Sequence, residues 1–206
     1  MFIIAAIVVI AVLGGLKANL SLQKIVENQR HLVAGLDSLE FNNIRSEMIR
    51  VLQISFNSSS NMTENLNRFN SFVTDALATK NIEFHSLLVE TYVPILVASQ
   101  NTIVNITVYN SLGTDIKFLN LTLNGTSNTF TLQDKNSLRT SFTVNIDSTV
   151  NDTLTIFYNT SSTSQTETAT IPFTIGSSKY VTFFDIRYIS SRGQQSDKFV
   201  NTLTLY

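Results

Sequence analysis

The chain has 206 residues, a net charge of −1 and only 14% charged side chains, well below the usual quarter. Nothing in that balance supplies the clustered basic surface that a nucleic-acid partner requires. The absence of cysteine excludes disulfides, thiol catalysis and thiolate-bound metal.

The first stretch, Phe2–Leu16 (FIIAAIVVIAVLGGL), has no charge, no polar side chain and no proline. As a helix, Met1–Leu16 covers ~24 Å, short of the ~30 Å hydrocarbon core of a bilayer. Three readings of that length stay open: a signal-peptide core, a slightly short membrane anchor, or an assembly helix that uses the membrane transiently. No basic residue precedes the run and no A-x-A-like cleavage site follows it. From Lys17 the pattern turns amphipathic: Leu22, Ile25, Val26, Leu32, Val33, Leu36 and Leu39 recur at helical steps, and Ile44, Met48 and Leu52 extend the stripe. The spacing predicts one helix from about Phe2 to Leu52, ~75 Å long, with Gly14-Gly15 as its weak point.

Asn57–Asn61 (NSSSN) breaks this pattern. Asn61 then reads as an N-cap with Glu64 as its capping-box partner, opening a second helix to Thr79 on a Met62, Leu66, Phe69, Val73 and Leu77 face. From Ile82 the period becomes two. Val104/Ile106/Val108, Leu119/Leu121/Leu123, Phe142/Val144/Ile146, Leu154/Ile156/Tyr158 and Ile171/Phe173/Ile175 alternate with polar residues, and Val181–Ile189 and Phe199–Leu205 complete the set. Turn-like stretches at Asn110–Gly113, Asn124–Asn128, Asp134–Ser137 and Asn159–Ser164 separate them. The expected class is therefore α+β: a long N-terminal hydrophobic and amphipathic α-helix, a short helix, and an antiparallel β-sandwich (Ig-like) head of seven to nine strands. The expected domains are an assembly helix over 1–56 and a β-rich head over 57–206.

FIIAAIVVIAVLGGL running directly into NLSLQKIVENQRHLVAGLDSL, ahead of a β-sandwich, resembles a mature type IV pilin of the archaeal kind. About the first fifty residues carry the resemblance as a pattern, and the head carries it only as architecture. Archaellins are similar in the same way, so pilus and archaellum are not separated. The resemblance implies a precursor cut by a prepilin-type peptidase, storage in the membrane, and extraction by assembly machinery into an extracellular filament of identical subunits. Bacterial-type pilins usually carry glutamate at the fifth mature residue; Ala5 here favours the archaeal version, with residue 1 as the processed N-terminus. Phe2, Ile3, Ile4, Ile7, Val8, Val9, Ile10, Val12 and Leu13 are the expected self-assembly surface. The alternative is a membrane-anchored cell-surface binding or adhesion protein with an Ig-like ectodomain.

Eight N-x-[ST] sequons occur, at Asn19, Asn57, Asn61, Asn105, Asn120, Asn124, Asn151 and Asn159. Chance at this composition gives about five, so their placement counts for more than their number. All but Asn19 follow the stalk and are candidate N-glycosylation sites on an exported protein; Asn120 and Asn124 are expected to share a wet strand face. No G-x-S-x-G and no metal-ligand spacing is visible around His31 and His85, so neither an enzyme nor a cofactor is expected. The aromatics Phe183, Phe184, Tyr188 and Phe199 read as sandwich core, and Lys179, Arg187, Arg192 and Lys198 as a solvated or subunit-contact face.

Overall fold

The computed structural model describes residues 37–56, 62–97, 100–146, 150–191 and 193–205. The chain divides between Ile44 and Arg45, and the second unit, Arg45–Tyr206, contains every strand. Helix α1 covers residues 37–56 and α2 covers Met62–Ala78. The strands are β1 (Glu83–Val93), β2 (Gln100–Ser111), β3 (Ile116–Leu123), β4 (Thr126–Leu132), β5 (Ser137–Ile146), β6 (Val150–Asn159), β7 (Ser164–Phe173), β8 (Ser178–Ser190) and β9 (Gly193–Leu205).

This overturns the α+β class with its long N-terminal helix. The described residues are mostly strand, their two helices are short, and neither is long and apolar enough to cross a membrane. In the part of α1 that belongs to the second unit, Met48, Leu52 and Ser55 are buried while Ile54 is exposed, the one-sided pattern of a helix lying on a surface. The two helices act as cover for a sheet, not as half of the architecture. The expected helical course from Phe2 through residue 36, and the Asn61 cap, lie outside the described residues.

Both sheets are antiparallel. One runs β5-β2-β1-β8-β9 and the other β4-β3-β6-β7. The chain crosses between them after β2, β4, β5 and β7. The β5-β2-β1 and β7-β6-β3-β4 parts together follow a Greek-key path, and the long β8–β9 hairpin is then added beside β1. Inward residues of both sheets form one core, with Leu87, Val89, Ile106 and Phe183 facing Leu121, Ile156 and Phe173 across the sandwich.

Local chemistry fixes the corners. Asn124 (φ 51°) and Gly125 (φ 71°) form the two-residue turn between β3 and β4, where both positions need the left-handed conformation that Asn-Gly tolerates. At the end of α2, Asn81 (φ 57°) donates to Ala78 at 3.1 Å, and Ile82 donates to Leu77 at 3.1 Å. These are the paired bonds of a Schellman cap.

The helices lie on the outer face of the five-stranded sheet. Leu66, Val73 and Leu77 of α2 are buried where it meets β1 and β2. Buried Asn70 bridges a cross-strand serine pair there: it donates to Ser111 at 2.8 Å and accepts from Ser86 at 2.8 Å. Asn65 of α2 donates to Ser55 of α1 at 2.9 Å. On the other side, Arg45 donates to Asp197 at 2.6 Å and its guanidinium sits 4.4 Å from the Phe199 ring centroid, while Phe199 stacks on Phe184 at 4.6 Å.

If α1 contributes stability through this docking, Leu52→Ala should lower the unfolding free energy by about 2–5 kcal/mol. Ile54→Ala on the exposed side should change it by less than about 0.5 kcal/mol. Urea unfolding of both variants checks this, and equal small effects would show that α1 is not part of the cooperative unit.

Candidate functional site

The outer face of the five-stranded sheet is helix-covered only toward one end. Beyond Leu88 on β1, two cross-strand rows of side chains line an open groove of ≈ 480 Å³, within the usual range for ligand sites. One row is Ser141, Asn105, Tyr92 and Tyr180, placed side by side on β5, β2, β1 and β8 by the strand register. The neighbouring row is Arg139, Thr107 and Glu90. Alternation along each strand puts these residues on one face, two positions apart. The Tyr92 and Tyr180 rings meet with centroids 4.7 Å apart, and Phe56 at the end of α1 sets its edge against Tyr180 at 5.4 Å. Burial, then the nearby Glu90 and Tyr92, raise the Tyr180 pKa, so its hydroxyl stays protonated and able both to donate and to accept.

The groove combines an aromatic pair, a carboxylate, a guanidinium, an amide and hydroxyls. That set matches a neutral polyhydroxylated ligand: ring faces take its C–H surface, and the planar polar groups take its hydroxyls. No charge cluster of the kind that holds a metal ion occurs among the described residues. Sequence reasoning missed the groove. Its residues come from four strands, and only the register of pairing brings them together.

The sequons fall on three kinds of surface. Asn105 lines the groove. Asn120, Asn151 and Asn159 lie on the outer face of the four-stranded sheet, opposite its core residues. Asn124 occupies the β3–β4 turn and not the strand face expected for it. Asn57 and Asn61, and the self-assembly set Phe2, Ile3, Ile4, Ile7, Val8, Val9, Ile10, Val12 and Leu13, lie outside the described residues, as do Asn19 and His31.

A second polar cluster sits between the sheets at the opposite end of β1 and β8. Asp185 is fully buried and accepts from the Tyr158 hydroxyl and from Arg187 Nη2 at 2.9 Å; Arg187 Nη2 also donates to the Tyr158 oxygen at 3.0 Å. Burial first, and then Asp185, push the Tyr158 pKa well above its ordinary value. Hydrogen bonding to Asp185 raises that of Arg187. A small cavity of ≈ 150 Å³ opens beside Arg187 and His85, and His85 lies 3.2 Å from Glu83. Gly113 closes over this histidine: a Cβ at Gly113 would come within 2.7 Å of His85 Cε1. The cluster is closed on itself, with each charge already paired, which marks it as structural.

Of the four aromatics expected in the sandwich core only Phe183 packs there; Phe184 and Tyr188 are buried on the outer face of the five-stranded sheet, where half-buried Phe199 stacks on Phe184. The basic residues of the last strands are dispersed: Lys179 donates to Thr174 at 2.7 Å, Lys198 pairs with Glu167, Arg187 joins the Asp185 cluster, and Arg192 lies outside the described residues. Compared with protein-family models and with curated proteins, the sequence matches none.

Because the folded Tyr158 holds its proton to higher pH than the unfolded phenol, its contribution to stability is complete below about pH 10 and is lost as pH rises from there. Tyr158→Phe should therefore cost about 1–3 kcal/mol at neutral pH, since Asp185 loses a buried donor. The variant should also show a shallower loss of stability above pH 10 than the parent chain. Denaturant midpoints measured from pH 7 to 11 test both halves; parallel pH curves would remove the assignment.

Proposed function

We propose that this chain is a structural subunit of an extracellular, archaeal type IV pilus-like filament, held in the membrane before assembly. The carrying observation is the uncharged run Phe2–Leu16 attached to a charge-poor antiparallel sandwich. Fifteen uncharged residues must leave water, either into lipid or among copies of themselves. Burying the large side chains of that run at ~1.5–3 kcal/mol each gives a gross driving force of tens of kcal/mol. A bilayer offers similar burial, so extraction into a filament is close to an exchange. Identical head-to-tail contacts with a non-closing rotation then generate a helical polymer. The second reading, a membrane-anchored surface binding protein, is favoured by the open groove; it requires a monomer in detergent and no rods.

Electron microscopy of material sheared from producing cells, with mass spectrometry of its N-terminal peptide, separates the two. Filaments containing this chain support the proposal, and a membrane-retained chain without filaments supports the anchor. Ile7→Asp or Val9→Asp should abolish filaments while the sandwich keeps its strand circular dichroism; filaments at normal yield from either variant would remove the central claim. With so few charges at the surface, subunit contacts depend little on ion pairing. Filaments should therefore survive ~1 M salt at neutral pH, which sedimentation before and after salt addition would check.

A further inference from the structure

We propose that Asn105 carries an N-linked saccharide and that the groove on the outer sheet face is the cradle in which this saccharide lies. The inference rests on export to the cell surface, which the filament and anchor readings share. Asn105 stands in the middle of the groove with the hydroxyl residue of its own sequon, Thr107, beside it on the same face. Tyr92 is its direct partner on β1 and Ser141 its partner on β5. Directly opposed side chains on a sheet are ~5 Å apart at Cβ, so a sugar joined to Asn105 Nδ2 starts within reach of the Tyr92–Tyr180 pair. The surrounding Glu90 and Arg139 offer planar groups that accept from and donate to paired hydroxyls. Attachment makes the contact intramolecular, so even a weak affinity for the free sugar suffices to keep the glycan seated.

The three sequons on the four-stranded sheet have a different setting. Near Asn120 the aromatic pair is Phe118 with Phe157, edge to face at 5.7 Å, and among the described residues no comparable combination of carboxylate, guanidinium and tyrosines adjoins Asn120, Asn151 or Asn159 on that face. Glycans there would stand free in solvent. The attachment needs a lipid-phosphate-linked oligosaccharide as donor. Asn105 Nδ2 forms the bond to sugar C1 and gives up one proton, while the C1–O bond to the lipid phosphate breaks and the phosphate leaves with the electron pair.

The test uses the full chain from producing cells, in a detergent without a sugar headgroup. Glycopeptide mass spectrometry should find sugar on Asn105. Asn105→Gln should then lower Tm by ~2–4 °C in the parent chain and leave it unchanged in a Tyr92→Leu background, the coupling expected of a glycan seated on that ring. Tyr92→Leu removes the ring but keeps an apolar side chain at that position; Glu90→Gln serves as a second background that leaves the aromatic pair intact and should reduce the Asn105→Gln shift. A bare Asn105 overturns the proposal whatever the other sequons carry, and sugar found at Asn120, Asn151 or Asn159 would show that export itself stands. Binding of free chitobiose in the groove of a chain with bare Asn105 would assign the site to an external ligand instead. An Asn105→Gln shift of the same size in all backgrounds would show a glycan that stabilises the fold without using the groove.

Discussion

Two strands, β1 and β8, are apolar on both faces, and the architecture follows from covering them. Leu87 and Val89 of β1, with Val181 and Phe183 of β8, point into the sandwich; Phe84 and Leu88, with Phe184, Ile186 and Tyr188, point out of it and are buried as well. A two-layer sandwich leaves the outer face of each sheet to water, which these residues do not tolerate. A third layer is therefore required, and the described parts of α1 and α2 supply it. The fasteners of that layer are polar and specific: Asn70 on the Ser86–Ser111 pair, Asn65 on Ser55, and Arg45 on Asp197 and Phe199. Where the described helices end, the outward side chains of the same strands change character to Glu90, Tyr92 and Tyr180, and the sheet face becomes a groove.

The opposite sheet solves the solvent problem in another way. Its outer face carries hydroxyl rows, such as Ser127, Thr122, Thr155 and Thr168 lying side by side across four strands. Threonine suits this position, since its branched Cβ favours the extended backbone while its hydroxyl meets water. This accounts for a chain that stays polar on 14% charged residues. The molecule thus has one helix-covered sheet face and one wet face, and the sequons sample both.

How far this was legible in the sequence depended on burial. Strands with one buried face, β2, β3, β5, β6 and β7, announced themselves by strict alternation at Val104–Val108 or Leu119–Leu123. β4 did not: TSNTFTL buries only Leu132, so its polar residues read as turn. The first half of β9, from Gly193 to Lys198, is polar for the same reason, being an edge paired on one side only. In β1 the run Leu87-Leu88-Val89 abandons alternation, the available sign of burial on both faces and hence of a covering layer. Over residues 37–52 the helical stripe was legible, but periodicity alone gave the helix too much weight in the fold. The groove and the Asp185 cluster depend on which strands become neighbours, and one sequence carries almost no signal for that.

Double burial also creates an ambiguity that hydrophobicity cannot resolve. In an ordinary strand a one-residue slip exchanges wet and dry faces and is rejected at once. In β8 the same slip would exchange one set of large apolar residues for another, Phe183 for Phe184, at little loss of buried area. Asp185 removes that degeneracy. In the native register it reaches Tyr158 of the facing sheet as well as Arg187 of its own strand; shifted by one, it would carry Arg187 with it to the outer face and lose Tyr158. Losing that buried donor costs about 1–3 kcal/mol, which outweighs the small difference in apolar burial between the two registers. Correct placement of β8 fixes β1 and β9 beside it, and with them the alignment of Tyr92 with Tyr180 that forms the groove floor. A polar cluster at one end of the sandwich thereby determines the surface available at the other.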